Sequence, residues 1–340
     1  MIAAAAILAL LQIVAISATA VVLIGRRMVL TRAELRRELL LRRLREPVLE
    51  LVALEDESPP QALEGLRTTA EREAVGELLA RYAGDVRGAS RERIAGFLAD
   101  QGYVAAAARD LGSPQEWRRG TAAKTLGDFA SPTGAAALED VLLDEGSAQV
   151  RLVAARALGR IGGRGASPAV LASCAEGAIP PAVAAQALLD LGEEGLPWVV
   201  GATAHPSPTV RAVACRVLGL LGGVEDADTL EALQAAAVSD PEWHVRAAAC
   251  EALGRVGGEE SGLALAGAMV DPRAEVRAAA CDAATRLAVA EVAPLARRLL
   301  DDDDPMVARA AGRTAAMLEL DGPDTAYVAE GRAEIAWGWS

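Results

Sequence analysis

Between residues 113 and 320 apolar and small side chains recur on a fixed schedule. A valine is followed by apolar or small residues four, five and eight positions on: Val150, Ala154, Ala155 and Leu158; Val183, Ala187, Leu188 and Leu191; Val210, Ala214, Cys215 and Leu218; Val245, Ala249, Cys250 and Leu253. These offsets form one stripe of an α-helix, and the small middle pair lets a neighbouring helix approach closely. Successive segments start 27 to 35 residues apart, the length of a two-helix unit. Glycine runs follow at 158–163, 218–223 and 253–258, where glycine is expected to end the helix in the left-handed conformation. A second apolar helix comes next, as in Leu230, Leu233 and Val238, and it closes at Asp240-Pro241 or Asp271-Pro272. Proline cannot continue that helix, and its fixed φ suits the start of the next. The pattern predicts an all-α protein whose helical hairpins stack into an α-solenoid.

The amino end follows a different rule. From Ile2 to Ile24 the chain is uncharged, and twelve of its residues are Ile, Leu or Val. As a helix it would extend about 35 Å, enough for a hydrocarbon core of about 30 Å. Those twelve residues favour insertion by about 4 to 7 kcal/mol. The competing reading is a cleaved export signal, for which Ala18-Thr19-Ala20 has a suitable form. Against it stand the absence of Lys or Arg before the run and the run's length. An uncleaved span therefore divides the chain into a transmembrane helix over 1–25, a basic juxtamembrane helix over 26–47 and divergent helical repeats over 48–112. Clear repeats over 113–325 and a tail over 326–340 complete the sequence-based division.

Charge sharpens that division. The protein has 47 acidic and 34 basic residues, for a net charge of −13. Arg26, Arg27, Arg32, Arg36, Arg37, Arg42, Arg43 and Arg45 give residues 26–46 a net charge of +5 and leave −18 elsewhere. Positive residues beside a span orient it, so the body is expected in the cytoplasm. Thr31-Arg32-Ala33-Glu34 has the form of a capping box, and Leu35, Leu39, Leu40 and Leu44 share a helical face before Pro47 intervenes. Such a helix can lie on anionic lipid or simply enforce topology. The acidic body argues against a nucleic-acid partner.

The units read Asp-Pro, Val-Arg, alanines, Leu-Gly, Gly, and over residues 113–320 they resemble the HEAT repeat family in its short bacterial, bilin-lyase-like form. The resemblance implies a right-handed superhelix of HEAT-type hairpins that serves as a binding scaffold. It also implies a ladder between units built from Arg119, Arg151, Arg211, Arg246 and Arg277 with Asp240 and Asp271. The unit at Val183 departs from the pattern, with Ala184 in the arginine position and Ile179-Pro180-Pro181 in place of Asp-Pro. A local irregularity is expected there.

Conventional chemistry finds little to work with. No CxxC pair exists, and Cys215, Cys250 and Cys281 occupy one repeated slot, which reads as core. His205 and His244 stand on separate turns without a nucleophile at a recognisable spacing. Gly159 to Gly165 lacks the Gly-Lys-Ser/Thr of a phosphate loop, and the acidic run Asp301 to Asp304 reads as a solvated turn capping the next helix. Trp117 and Trp243 are expected to cover turns, with partner anchoring as the alternative. Trp337 and Trp339 either seal the last unit or dock on another protein.

No catalytic residue, metal or cofactor is expected. The reading is a non-enzymatic scaffold, single-pass in the bacterial inner membrane with its body cytoplasmic, that holds a membrane-associated protein. Proteins similar in layout point to a glycosyltransferase as that partner. A bilin-lyase-like enzyme and an exported binding module are the alternatives.

Overall fold

In a computed structural model of the protein the described residues are 26–28, 31–32, 34–53, 60–84, 86, 88–163, 165–221 and 227–318. The predicted span and the Trp337/Trp339 tail lie outside them. No helix among the described residues is long and apolar enough to cross a membrane. The described residues are helices and turns, and they fall into two units, 1–103 and 104–340.

The first unit contains α1, whose described residues are 26–28, 31–32 and 34–53, α2 (Gln61–Glu64), α3 (Thr69–Ala83) and α4 (Ala89–Asp100). Two expectations fail in α1. The helix does not stop at Pro47 but continues to 53. Leu44, Val48 and Leu51 are buried at spacings of four and three, and that burial outweighs the hydrogen bond proline cannot make. Thr31 is not a cap: it is itself helical, and its hydroxyl donates back to the Arg27 carbonyl at 2.8 Å. A complete capping box stands instead at α3, where Thr68 and Glu71 exchange hydrogen bonds.

The second unit follows Tyr103, the first residue of α5 (Tyr103–Leu111). Its repeats alternate a long first helix with a shorter second one. The first helices are α6 (Glu116–Phe129), α8 (Ala148–Ile161), α10 (Pro181–Leu191), α12 (Pro208–Leu221), α14 (Trp243–Val256), α16 (Ala274–Leu287) and α18 (Pro305–Met317). Between them lie α7 (Ala135–Asp144), α9 (Ala166–Ala175), α11 (Leu196–Ala202), α13 (Ala227–Ser239), α15 (Gly262–Ala268) and α17 (Ala293–Leu299). First helices stack directly on one another, α12 on α14 on α16 on α18, and second helices form a looser layer beside them. The stripe read from the sequence is the interface: Val245, Ala249, Cys250 and Leu253 are fully buried. In α10 the register slips at its start, because Val183 is half-buried while Ala184 is fully buried.

Glycine runs end α8 at Gly162 and α14 at Gly257, and other glycines of the same runs serve the stack in a second way. Gly159, Gly219 and Gly254 do not end helices; they sit within them, against the next first helix. A Cβ on Gly219 would lie 2.7 Å from the Ala252 Cα, and one on Gly254 would lie 2.8 Å from the Ala283 Cα. No side chain fits there, so these glycines set how closely consecutive units approach. In the next interface Thr285 takes that position and bonds to Thr314 at 3.0 Å between hydroxyls. Left-handed residues do end α8 at Gly162 (φ 83°), but α6 and α16 end on Ala130 (φ 49°) and Ala288 (φ 53°). The prolines of the Asp-Pro steps also sit one place earlier than expected: Glu242 and Arg273 separate Pro241 and Pro272 from α14 and α16.

Candidate functional site

The turn before each first helix carries the charged residues of the array. Arg246 leaves the first turn of α14 and reaches the next unit. Its Nε donates to Asp271 Oδ2 at 2.6 Å and its Nη2 to Oδ1 at 3.0 Å, while Nη1 donates to the carbonyls of Asp240 and Pro241 at 2.8 and 3.2 Å. One guanidinium thus ties its own turn to the following one. Arg211 repeats the arrangement with Asp240 and the carbonyls of His205 and Pro206. Arg277 does so with Asp302 and the carbonyls of Asp271 and Pro272, and Arg119 with Glu145 and the carbonyls of Ser113 and Pro114.

Each carboxylate also accepts the N–H two residues on: Ser147 for Glu145, Glu242 for Asp240, Arg273 for Asp271 and Asp304 for Asp302. These side chains are shielded; Arg211 and Asp240 keep 11% and 5% of their exposure. Bidentate, charge-assisted pairs in such surroundings are stronger than surface ion pairs. Burial pushes the Asp240 and Asp271 carboxyls up, but their arginines and N–H donors together outweigh it and hold both below the usual aspartate value. For Glu145 and Asp302 the hydrogen bond from arginine is the largest influence, and both are lowered.

Arg119, Arg211, Arg246 and Arg277 thus meet carboxylates, and Asp240 and Asp271 meet arginines. Arg151 differs. Its Nε donates to the Ala178 carbonyl at 3.1 Å and its Nη1 to the Glu145 carbonyl, and among the described residues no carboxylate is hydrogen-bonded to it. Glu145 and Asp302 were missed by reading for Asp-Pro. The signal that locates them is position, because every ladder acid stands five residues before the repeat valine. Asp302 therefore corrects the reading of Asp301 to Asp304 as a purely solvated turn, although Asp304 does cap α18 through the Met306 N–H. Counting back five from Val183 gives Ala178, and from Val210 gives His205. His205 copies half of the acid's role, its Nδ1 accepting the Ser207 N–H at 3.0 Å, but Ala184 stands where the arginine opposite it would be. The α9–α10 hairpin interrupts the ladder on both of its sides.

The remaining candidates are dispersed. Trp117 and Trp243 do not cover turns; they lie in the first turns of α6 and α14, with Trp117 66% exposed and the Arg273 guanidinium 4.8 Å from the centre of the Trp243 ring. Cys174, Cys215, Cys250 and Cys281 are free and buried. Burial pushes the thiols of Cys215, Cys250 and Cys281 up to about 12, which leaves them unreactive at neutral pH. No group of three His, Cys, Asp or Glu able to hold a metal occurs among the described residues. In the first unit the basic block is partly internal: Arg37 pairs with Glu77, Arg42 with Glu38 at 2.7 Å and Arg43 with Glu71 at 3.9 Å. Arg26, Arg27, Arg32, Arg36 and Arg45 are exposed.

Solved structures to which the chain is similar include human deoxyhypusine hydroxylase, at 17% identity over 85% of this chain and 100% of that one, TM-score 0.32. The karyopherin Kap121p is 13% identical over 82% of this chain and 37% of its own, TM-score 0.47. A chain of the Pds5–Scc1 complex is 13% identical over 87% and 63%, TM-score 0.30. Such distant likenesses carry no information on activity or partner. Among curated proteins no sequence matches this chain. The family model described as HEAT repeats matches residues 106–190 and 195–272. With first helices stacked through buried valines and alanines and joined by arginine–carboxylate rungs, residues 106–272 of this chain are an array of HEAT repeats.

Proposed function

We propose that the protein is a non-enzymatic scaffold, tethered by its amino-terminal segment to the cytoplasmic face of a bacterial membrane, where its repeats hold a partner protein. The observation that carries the scaffold reading is the repeat array itself. Its ladder arginines and carboxylates join one unit to the next, and large apolar side chains remain on its surface: Trp117, Trp198 and Leu263 are 66%, 50% and 88% exposed. Exposed aromatic anchors on a rigid array suit protein binding.

Support for the tether comes from the uncharged run Ile2–Ile24 and the arginines after it. The face of α1 opposite its buried side adds to it: Leu35 and Leu39 are 54% and 65% exposed, beside the exposed Arg36 and the largely exposed Arg42 and Arg43. Leucines flanked by arginines suit a helix lying on anionic headgroups, and we assign residues 26–46 that role. A membrane glycosyltransferase is the partner class we favour, from the layout of one span followed by HEAT units. Tethering raises the local concentration of the array near such a partner, so weak contacts suffice.

Two experiments test this. Mild-detergent copurification from membranes with mass spectrometry should recover a stable membrane-protein partner; recovery of the protein always alone removes the scaffold reading. Because all four native cysteines are buried, topology needs an introduced thiol at an exposed site, Leu263→Cys. On intact cells it should resist an impermeant maleimide and react after lysis; reaction on intact cells would place the body outside.

A further inference from the structure

The broken rung at Arg151 leaves a site as well as a gap. In the regular rungs Nε and Nη2 fork a carboxylate and Nη1 takes carbonyls, so every face of the guanidinium is used. At Arg151 the carbonyls of Ala178 and Glu145 use Nε and Nη1, and Nη2 has no partner among the described residues. The nearby Glu145 carboxylate is engaged by Arg119 and the Ser147 N–H and makes no hydrogen bond to Arg151. Beside Arg151 opens a groove of about 620 Å³ whose walls include Leu152, Gly177, Ala178, Pro180 and Thr209. In this groove Ala178 stands at the place of the ladder acid, and Pro180 at the place of the residue whose N–H would bind it.

We infer that this groove takes an aspartate or glutamate side chain from a protein partner, which completes from outside the rung that the chain leaves open. The inference rests on the scaffold reading and names the chemistry of the partner at one place. The half-buried, permanently charged guanidinium with a free N–H edge is complementary to a carboxylate, and planar geometry favours a carboxylate over a neutral amide. Opposing it is Glu176, an exposed carboxylate on the groove's wall, which reduces the attraction without occupying Nη2.

The test is a titration of the full-length ¹⁵N-labelled chain with acetyl-Gly-Asp-Gly-amide, read at the Arg151 Nε–H and assigned with Arg151→Gln. A saturable shift in the millimolar range is expected, at least about tenfold weaker for the Asn peptide. Ala178→Asp supplies an internal carboxylate and should abolish the shift, whereas Glu176→Gln should strengthen binding roughly two- to threefold. An absent shift, one equal for the Asn peptide, or one that persists in folded Ala178→Asp protein overturns the inference. Tighter saturation by inorganic phosphate would assign the site to a free anion and also overturn it. Copurification reads partners on any face of the array, so its outcome separates failure of this site from failure of the scaffold.

Discussion

From α12 to α18 every unit is joined to the next by an arginine–carboxylate rung, whereas from α8 to α12 two successive rungs are missing. Both regions bury the same kind of stripe: Ala187 and Leu188 are as inaccessible as Ala249 and Leu253. The difference teaches that apolar stacking alone holds a HEAT hairpin in place. The charged ladder adds a second, removable fastening, and where it is absent the array keeps its fold and gains an open arginine.

The largest separation between the regions should come with acid. Asp240, Asp271, Asp302 and Glu145 have folded-state values below their ordinary ones. Their contribution is therefore complete above about pH 4, near the unfolded carboxylate values, and is lost as pH falls through the lower folded values. Hydrogen exchange at pH 3 should show α14 and α16 losing more protection, relative to pH 6, than α8 and α10. Uniform loss would mean that the rungs do not fasten the regular part.

Filling the close approach should come next in size. Gly254→Leu forces a side chain into the backbone of α16 and should cost about 3 kcal/mol or more in urea unfolding. Gly201→Ala, on a helix position with nothing within 4 Å of a new Cβ, should be neutral or mildly stabilising. Equal effects would remove the close-packing role given to Gly254.

Removing one arginine compares the regions directly. Arg246→Met leaves Asp271 shielded without its partner and should cost about 2 kcal/mol, whereas Arg151→Met strands only carbonyls and should cost about 1 kcal/mol or less. Thermal or urea unfolding of the two variants reads the gap, and a reversed order would refute the assignment of Arg246 as a fastening. The smallest change concerns the caps. Ala288→Gly relieves a left-handed alanine at φ 53° and should stabilise by about 0.5 to 1 kcal/mol, seen as a modest rise in Tm.

Helix identity, the buried stripe and the repeat length could all be read along the chain, because a helix writes its burial pattern into residues three and four apart. The partners of Arg211, Arg246 and Arg277 were partly legible, since two of their three acids stood in Asp-Pro steps. Glu145 and Asp302 carried no such label and were found only where the turns met in space, 25 or 26 residues from their arginines. A glycine run predicts a helix end without saying which glycine makes it, because glycine suits both a left-handed cap and a tight contact; only the distance to the neighbouring backbone distinguishes Gly254 from a cap. Pro47 predicts a break because local strain is visible in a sequence and the compensating burial of Val48 is not. Periodic burial is a property of one helix and was determined by the order of residues. Which charge meets which, and where one is left waiting, depends on how two turns are brought together, and only the tertiary structure decided it.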